Sequence, residues 1–239
     1  MSFDNNEDIR SNHGTTSIVT DPDGEQDVLE VRYPEGQYYG ANWFYNAKEY
    51  IGEIAQNAHA RYSIYHPTDF EFYGNGNIPG GTKLPGFAHL DEAGWGGRVP
   101  NEVGDGWSAR GGNAHPDHRY YDDTDGPGIY NQVYHYQQEI ETGDHLRWNG
   151  ELEFGSWNTV DQYISMNDPG EPNGVFNGWI DNELVADEND WIWRDLDANY
   201  LGIKSFWWNL YFGGDYGAQQ DEGLFFKDLI LWFNKGPQI

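Results

Sequence analysis

From residue 28 onward the chain alternates between apolar and polar positions with a period of two. Val28-Leu29-Glu30-Val31-Arg32-Tyr33 closes at Pro34-Glu35-Gly36, and Ala60-Arg61-Tyr62-Ser63-Ile64-Tyr65-His66 closes at Pro67. Such runs read as strands, because successive side chains on a strand point to opposite faces. Similar runs occupy residues 106–111, 130–139, 157–167, 175–181, 204–212 and 224–233. The dividers between them are turn formers: Asp144, Asn149-Gly150, Asp168-Pro169-Gly170, Asn173-Gly174 and Gly213-Gly214. Many short strands separated by turns predict an all-β fold, a two-sheet antiparallel sandwich. Residues 46–58 suit a short helix or a loop equally well, and the Gly- and Pro-rich stretch 74–106 reads as long loops. Residues 1–27 are polar, acidic and patternless. They are expected to form a loose arm or an edge segment beside a single domain over 28–239.

Composition changes this picture in two ways. The 239 residues hold 40 Asp and Glu against 13 Lys and Arg, a formal net charge of −27. A surface of that sign repels nucleic acid and anionic membranes, so neither is an expected partner. High charge with low hydropathy would ordinarily mean disorder. Here 11 Trp, 17 Tyr and 12 Phe supply the material for a core. An ordered, acidic, lysine-poor chain suits concentrated salt, where screening shortens self-repulsion to a few Å, so a halophilic, high-salt setting is expected, with an ordinary acidic secreted protein as the alternative. Cysteine is absent, which removes disulfides and thiolate metal sites. No apolar run reaches the roughly 20 residues that span a bilayer. The first residues have neither the basic nor the apolar region of a signal peptide. The expectation is an extracellular monomer whose secretion signal is not present in this chain.

Three segments put chemistry on strand faces or in shaped loops. In Gly80-Gly81-Thr82-Lys83-Leu84-Pro85-Gly86-Phe87, one of only five lysines sits inside a glycine-rich, proline-pinned stretch. A solvated loop lysine is the plainer account of it. In Gly106-Trp107-Ser108-Ala109-Arg110-Gly111, period two puts Trp107 and Ala109 on one face and Ser108 and Arg110 on the other. A surface arginine paired with a carboxylate is the commoner fate of such a residue. In the strand around Tyr130, the same alternation aligns Tyr130, Gln132, Tyr134, Tyr136 and Gln138. Phenols and amides make poor core but can hold a sugar, with ring faces against C–H surfaces and polar tips on hydroxyls. A tyrosine-rich β surface is the bland alternative. His115-Pro116-Asp117-His118 and Asp122-Asp123-Thr124-Asp125-Gly126 read as solvated loops rather than metal sites.

With these segments in place, the chain from about residue 28 to its C-terminus resembles polysaccharide lyase family 14, the jelly-roll alginate lyases and their glucuronan-cleaving relatives. The resemblance lies in the Lys-Leu-Pro-Gly stretch at Lys83, the Ser-x-Arg strand at Ser108 and Arg110, and the Tyr-x-Tyr pair at Tyr134 and Tyr136. Asn167-Asp168-Pro169-Gly170-Glu171-Pro172-Asn173-Gly174 and the aromatic strand Trp207-Trp208-Asn209-Leu210-Tyr211-Phe212-Gly213-Gly214 extend it. One departure is local. Gly111-Gly112-Asn113 follows the Ser-x-Arg strand where the family often has a bulky, basic stretch.

The resemblance implies a β-jelly roll and a lyase that cleaves a uronic-acid polymer of the alginate or glucuronan type by β-elimination. Lys83 and Arg110 would neutralise the uronate carboxylate, and Tyr134 or Tyr136 would act as base and acid. Ser108, Arg98, Gln132 and Gln138 would contact the substrate. No cofactor is required by that chemistry, although structural calcium fits folds of this kind. The alternative reading is a non-catalytic carbohydrate-binding jelly-roll module, and it has less use for a lysine, an arginine and two tyrosines together. A surface-layer protein and a glycoside hydrolase are further rivals; no carboxylate pair is singled out for the latter.

Overall fold

The computed structural model describes residues 16–71, 82–90, 106–114, 127–134, 144–212 and 217–239. In chain order the strands are β1 (Thr16–Thr20), β2 (Asp27–Tyr33), β3 (Tyr39–Asn46), β4 (Asn57–Tyr65), β5 (Thr82–Leu90), β6 (Gly106–Ala114) and β7 (Gly128–Tyr134). They continue as β8 (Asp144–Glu151), β9 (Trp157–Ser165), β10 (Gly174–Ile180), β11 (Glu183–Trp191), β12 (Ser205–Phe212) and β13 (Glu222–Phe233). A short α-helix, α1 (Ala47–Ile51), follows β3 and ends on Gly52 in the left-handed region. No helix among the described residues is long and apolar enough to cross a membrane.

The strands form two antiparallel sheets, one of seven in the order β1-β2-β13-β4-β9-β10-β11 and one of six in the order β3-β12-β5-β6-β7-β8. This is the jelly-roll sandwich. Sequence neighbours are often not sheet neighbours: β13 lies between β2 and β4, and β12 between β3 and β5. The inner faces meet over an aromatic core that includes Trp107, Trp148, Trp208, Phe87, Phe206 and Phe226, all fully buried. Alternation is clearest on β6. On β6, Trp107 and Ala109 join the core while Ser108 and Arg110 take the outer face, as the period of the sequence predicts.

Two sequence readings are corrected. Thr82–Leu90 is a nine-residue strand inside the stretch expected to be long loops. Its Pro and Gly mark an irregularity within a strand rather than a loop. Asp144 and Asn149-Gly150, read as dividers, lie within β8. There the alternation of Leu146 and Trp148 into the core outweighs local turn preference.

Candidate functional site

The site is on the outer face of the six-stranded sheet, and strand register assembles it. Lys83 on β5 lies opposite Gly112 on β6, and Gly112 opposite Tyr130 on β7. On its other side Lys83 faces Tyr211 of β12. One step along the strands, Gly86, Arg110, Gln132 and His145 form the next row. One step further, Ser108 faces Tyr134. Five of the sequence-predicted residues, Lys83, Arg110, Ser108, Gln132 and Tyr134, therefore share one face. Tyr136, Gln138 and Arg98 lie outside the described residues.

A bulge is what puts Lys83 on that face. Ala88 and Gly86 sit opposite the outward Ser108 and Arg110, so strict alternation would turn Leu84 outward and Lys83 into the core. Between Lys83 and Gly86 the register shifts: β5 uses one residue more than β6 to span the same distance. Every residue before the shift changes face. Leu84 enters the core and Lys83 comes out beside Tyr130. The local sequence explains why the bulge forms here. Pro85 has no N–H to give to a ladder, which makes it tolerable at a bulge. Gly86 lies so close to β6 that a Cβ there would be 2.0 Å from the carbonyl oxygen of Ala109. Lys-Leu-Pro-Gly thus encodes a charged outward residue, a core residue, a ladder break and a close approach.

Gly112 has a similar job. A Cβ at this position would be 2.7 Å from the Tyr130 ring. The empty position lets the ring lie across β6, so that Lys83 Nζ donates a hydrogen bond to Tyr130 Oη at 3.1 Å. Arg110 is held from the opposite side. Its guanidinium stacks on the Trp207 ring, 4.3 Å from the centroid, and Nη1 donates to Asn209 Oδ1. Asn42 Oδ1 accepts from both Trp207 Nε1, at 2.7 Å, and Asn209 Nδ2, at 3.2 Å. Asn42 on β3 thereby orients the two residues that orient the arginine.

The electrostatics follow from burial. Lys83 is 8% exposed and Arg110 is 4% exposed, and among the described residues no carboxylate lies within ion-pair distance of either. Burial, with the neighbouring Arg110 adding to it, pushes the Lys83 ammonium down to about 7. Burial also lowers Arg110, to about 10, while Tyr134, Tyr130 and Tyr211 counteract the shift. Arg110 stays charged at neutral pH. Burial raises the Tyr211 phenol, and Arg110 opposes that rise. Arg110 Nε is buried with no hydrogen-bond partner among the described residues. A buried guanidinium edge in that condition is costly unless a ligand meets it. Among the described residues no group of three His, Asp or Glu side chains could hold a metal ion.

Tyr211, Asn209 and Trp207 are not singled out as site residues by the sequence reading, and Tyr130, although in the sugar-holding stripe, is given no catalytic role there. The signal was present: period two puts Trp207, Asn209 and Tyr211 on one face of β12 and Tyr130 in line with Gln132 and Tyr134. What was missing was strand order, which seats β12 directly beside β5.

Comparison with known proteins follows the same lines. The profile of polysaccharide lyase 14 matches residues 21–229. No curated protein matches the chain. Among solved structures, the marine PL-14 alginate lyase from Aplysia kurodai is similar with a TM-score of 0.70 at 18% identity, over 92% of this chain and 87% of that one. The alginate lyase Aly36B is similar with a TM-score of 0.69 at 20% identity, over 91% and 82%. The endo-β-1,4-glucuronan lyase of the fungus Trichoderma reesei is similar with a TM-score of 0.56 at 15% identity, over 93% and 89%.

Proposed function

The chain belongs to polysaccharide lyase family 14, and on that premise we propose that it cleaves a polyuronate by β-elimination on the outer face of the six-stranded sheet. The observation that carries this reading is the pair of buried cations, Lys83 and Arg110, with no carboxylate partner among the described residues and with phenols beside them. The similar structures include alginate and glucuronan lyases, and a double mutant of Aly36B has been solved with an alginate tetrasaccharide. Both polymers repeat a carboxylate on every sugar, which is the group such a site would accept.

The chemical obstacle is the C5 proton. It lies alpha to a carboxylate and is hard to remove while that group keeps its full negative charge. Arg110 offers a planar fork matched to a carboxylate. Lys83 adds a second positive charge, and the arriving carboxylate raises its proton affinity again, so that it works as an ammonium. Together they stabilise the enolate-like charge that develops on the carboxyl oxygens.

Tyr130 is assigned the base. An ammonium donating to its oxygen favours phenolate, where an isolated phenol near pKa 10 would be a weak base at neutral pH. The C5–H pair becomes the C4=C5 double bond, the C5 proton goes to Tyr130 Oη, and the C4–O bond breaks. Tyr134, on the other side of the Arg110 row, gives its proton to the departing oxygen. Proton exchange with solvent then returns Tyr130 to phenolate and Tyr134 to phenol. The product carries an unsaturated uronate at its new end.

Ultraviolet absorbance of that double bond tests the reading. Mannuronate-rich, guluronate-rich and glucuronan polymers are each mixed with the protein, and at least one should give a rise. Tyr130→Phe should lower kcat by about 10² or more. Absence of a rise with every polymer, at low and high salt, would leave a binding module instead.

A further inference from the structure

Within the bulge that turns Lys83 to the outer face, one carbonyl is bonded from across the sandwich. That carbonyl belongs to Pro85, and the group that satisfies it comes from the other sheet. Gln162 on β9 occupies a core-facing position between Ala60 and Gly178, and is fully buried. Its Nε2 donates to the Pro85 carbonyl oxygen at 2.9 Å. Its Oε1 accepts from Asn131 Nδ2 at 3.4 Å, and the same Nδ2 donates to the Ala109 carbonyl oxygen at 3.1 Å. Asn131 Oδ1 accepts from Trp148 Nε1 at 2.8 Å. One chain of buried hydrogen bonds thus begins on β9 and ends on β5, β6, β7 and β8. Lys83, Arg110, Tyr130 and Gln132 are carried by β5, β6 and β7.

A glutamine and an asparagine in the middle of an aromatic core are expensive unless every polar atom has a partner. Leu or Met would fill the same space more stably in a sheet that needed only packing. The amides stand where the strand bearing the site lysine departs from regular geometry. We infer that Gln162, braced by Asn131, is a positioning residue: it fixes the Leu84-Pro85-Gly86 bulge and so holds the Lys83 ammonium in its buried place against Tyr130. This rests on the lyase reading for its consequence in catalysis, but not for its structural content.

The test reads Lys83 directly. With five lysines in the chain, carbon-13 labelling of lysine gives a simple NMR spectrum, and loss of one signal in Lys83→Gln assigns it. Gln162→Met, nearly isosteric and unable to donate to Pro85, is compared with wild type in pH titrations and thermal melts. The expected result is a Lys83 midpoint near 7 in wild type that moves upward, toward an ordinary lysine, in Gln162→Met, while the melt shows a folded protein. On a cleaved polyuronate, kcat should fall by about tenfold or more with KM little changed. Asn131→Leu, which removes the brace, should move the midpoint in the same direction. An unchanged Lys83 midpoint in a folded variant overturns the proposal, and so does failure of both variants to fold, since the amides would then serve stability alone. If wild type cleaves no polyuronate while the midpoint still moves, the lyase reading fails and the positioning role stands.

Discussion

Three cations on the outer face of the seven-stranded sheet and the two site cations of the six-stranded sheet are held in opposite ways. On the seven-stranded sheet, Arg32 Nε lies 2.9 Å from Glu30, Arg61 Nε lies 2.8 Å from Asp161, and Lys227 Nζ lies 4.0 Å from Asp21. Each positive charge has a carboxylate from its own chain. On the six-stranded sheet, Lys83 and Arg110 are more deeply buried, and among the described residues they have an amide, a phenol and an indole instead. In a chain with 40 acidic residues, two buried cations without an acidic partner among the described residues are a departure that folding does not require. Paired cations contribute to holding the sheet. Unpaired cations cost stability and keep their charge available for an anion that arrives from outside.

The comparison is sharpest when one arginine is removed from each face. Arg110→Met should lower polyuronate cleavage by about 10³-fold, in the range of losing a preorganised transition-state donor. Its melting temperature should equal or exceed that of wild type, because an unpaired buried charge has gone. Arg61→Met should do the reverse. Activity per folded molecule should hold, and stability should fall by about 2 kcal/mol, because Asp161 stays fully buried with only His59 for company. Calorimetry and absorbance assays on the two variants check both halves. Matching signatures from the two variants would erase the distinction between the faces.

A second test uses pH. Folding lowers the Lys83 pKa from 10.5 to about 7. Below about 7 both folded and unfolded chains hold the proton, and Lys83 gives stability no slope. Between about 7 and 10.5 the unfolded chain binds the proton and the folded one does not, so this residue makes stability rise with pH. Lys83→Met should therefore gain stability over wild type at pH 6, and that advantage should shrink as pH approaches 10. Denaturant melts across the range read the difference.

Salt gives the smallest effect. The ion pair of Arg32 and Glu30 is largely exposed on the arginine side and contributes about 0–1 kcal/mol, which screening removes. The buried site cations are screened far less. A net charge of −27 repels a polyuronate at a distance, and salt shortens that repulsion to a few Å. Cleavage should thus improve modestly as salt is raised, as the proposed high-salt setting requires. A steep fall in kcat/KM with salt would mean that long-range attraction, not local chemistry, dominates.

Much of this arrangement was readable in the chain. Period two assigned Ser108 and Arg110 to one face and Trp107 and Ala109 to the other without any knowledge of neighbours. The same rule lined up Tyr130, Gln132 and Tyr134. It failed at β5, where Pro85 and Gly86 gave the local signature of a loop. That signature was real, but it belonged to a bulge within a strand, and a bulge reverses the face of everything before it. Asn42 and Gln162 were illegible for a different reason. Each acts across strands or sheets far apart in sequence, and nothing local distinguishes a bridging amide from a surface one.

Neutralisation of the substrate's charge is the heart of the account, and methyl esterification of the polymer isolates it. An ester carries no negative charge at the carboxyl group, so elimination from it does not need the guanidinium. Double-bond absorbance is followed for wild type and Arg110→Met on the free-acid polymer and on its methyl ester. The account predicts that Arg110→Met is nearly silent on the acid and recovers much of the wild-type rate on the ester. Equal loss on both polymers would contradict it, for Arg110 would then be holding the sheet or the sugar rather than cancelling a charge.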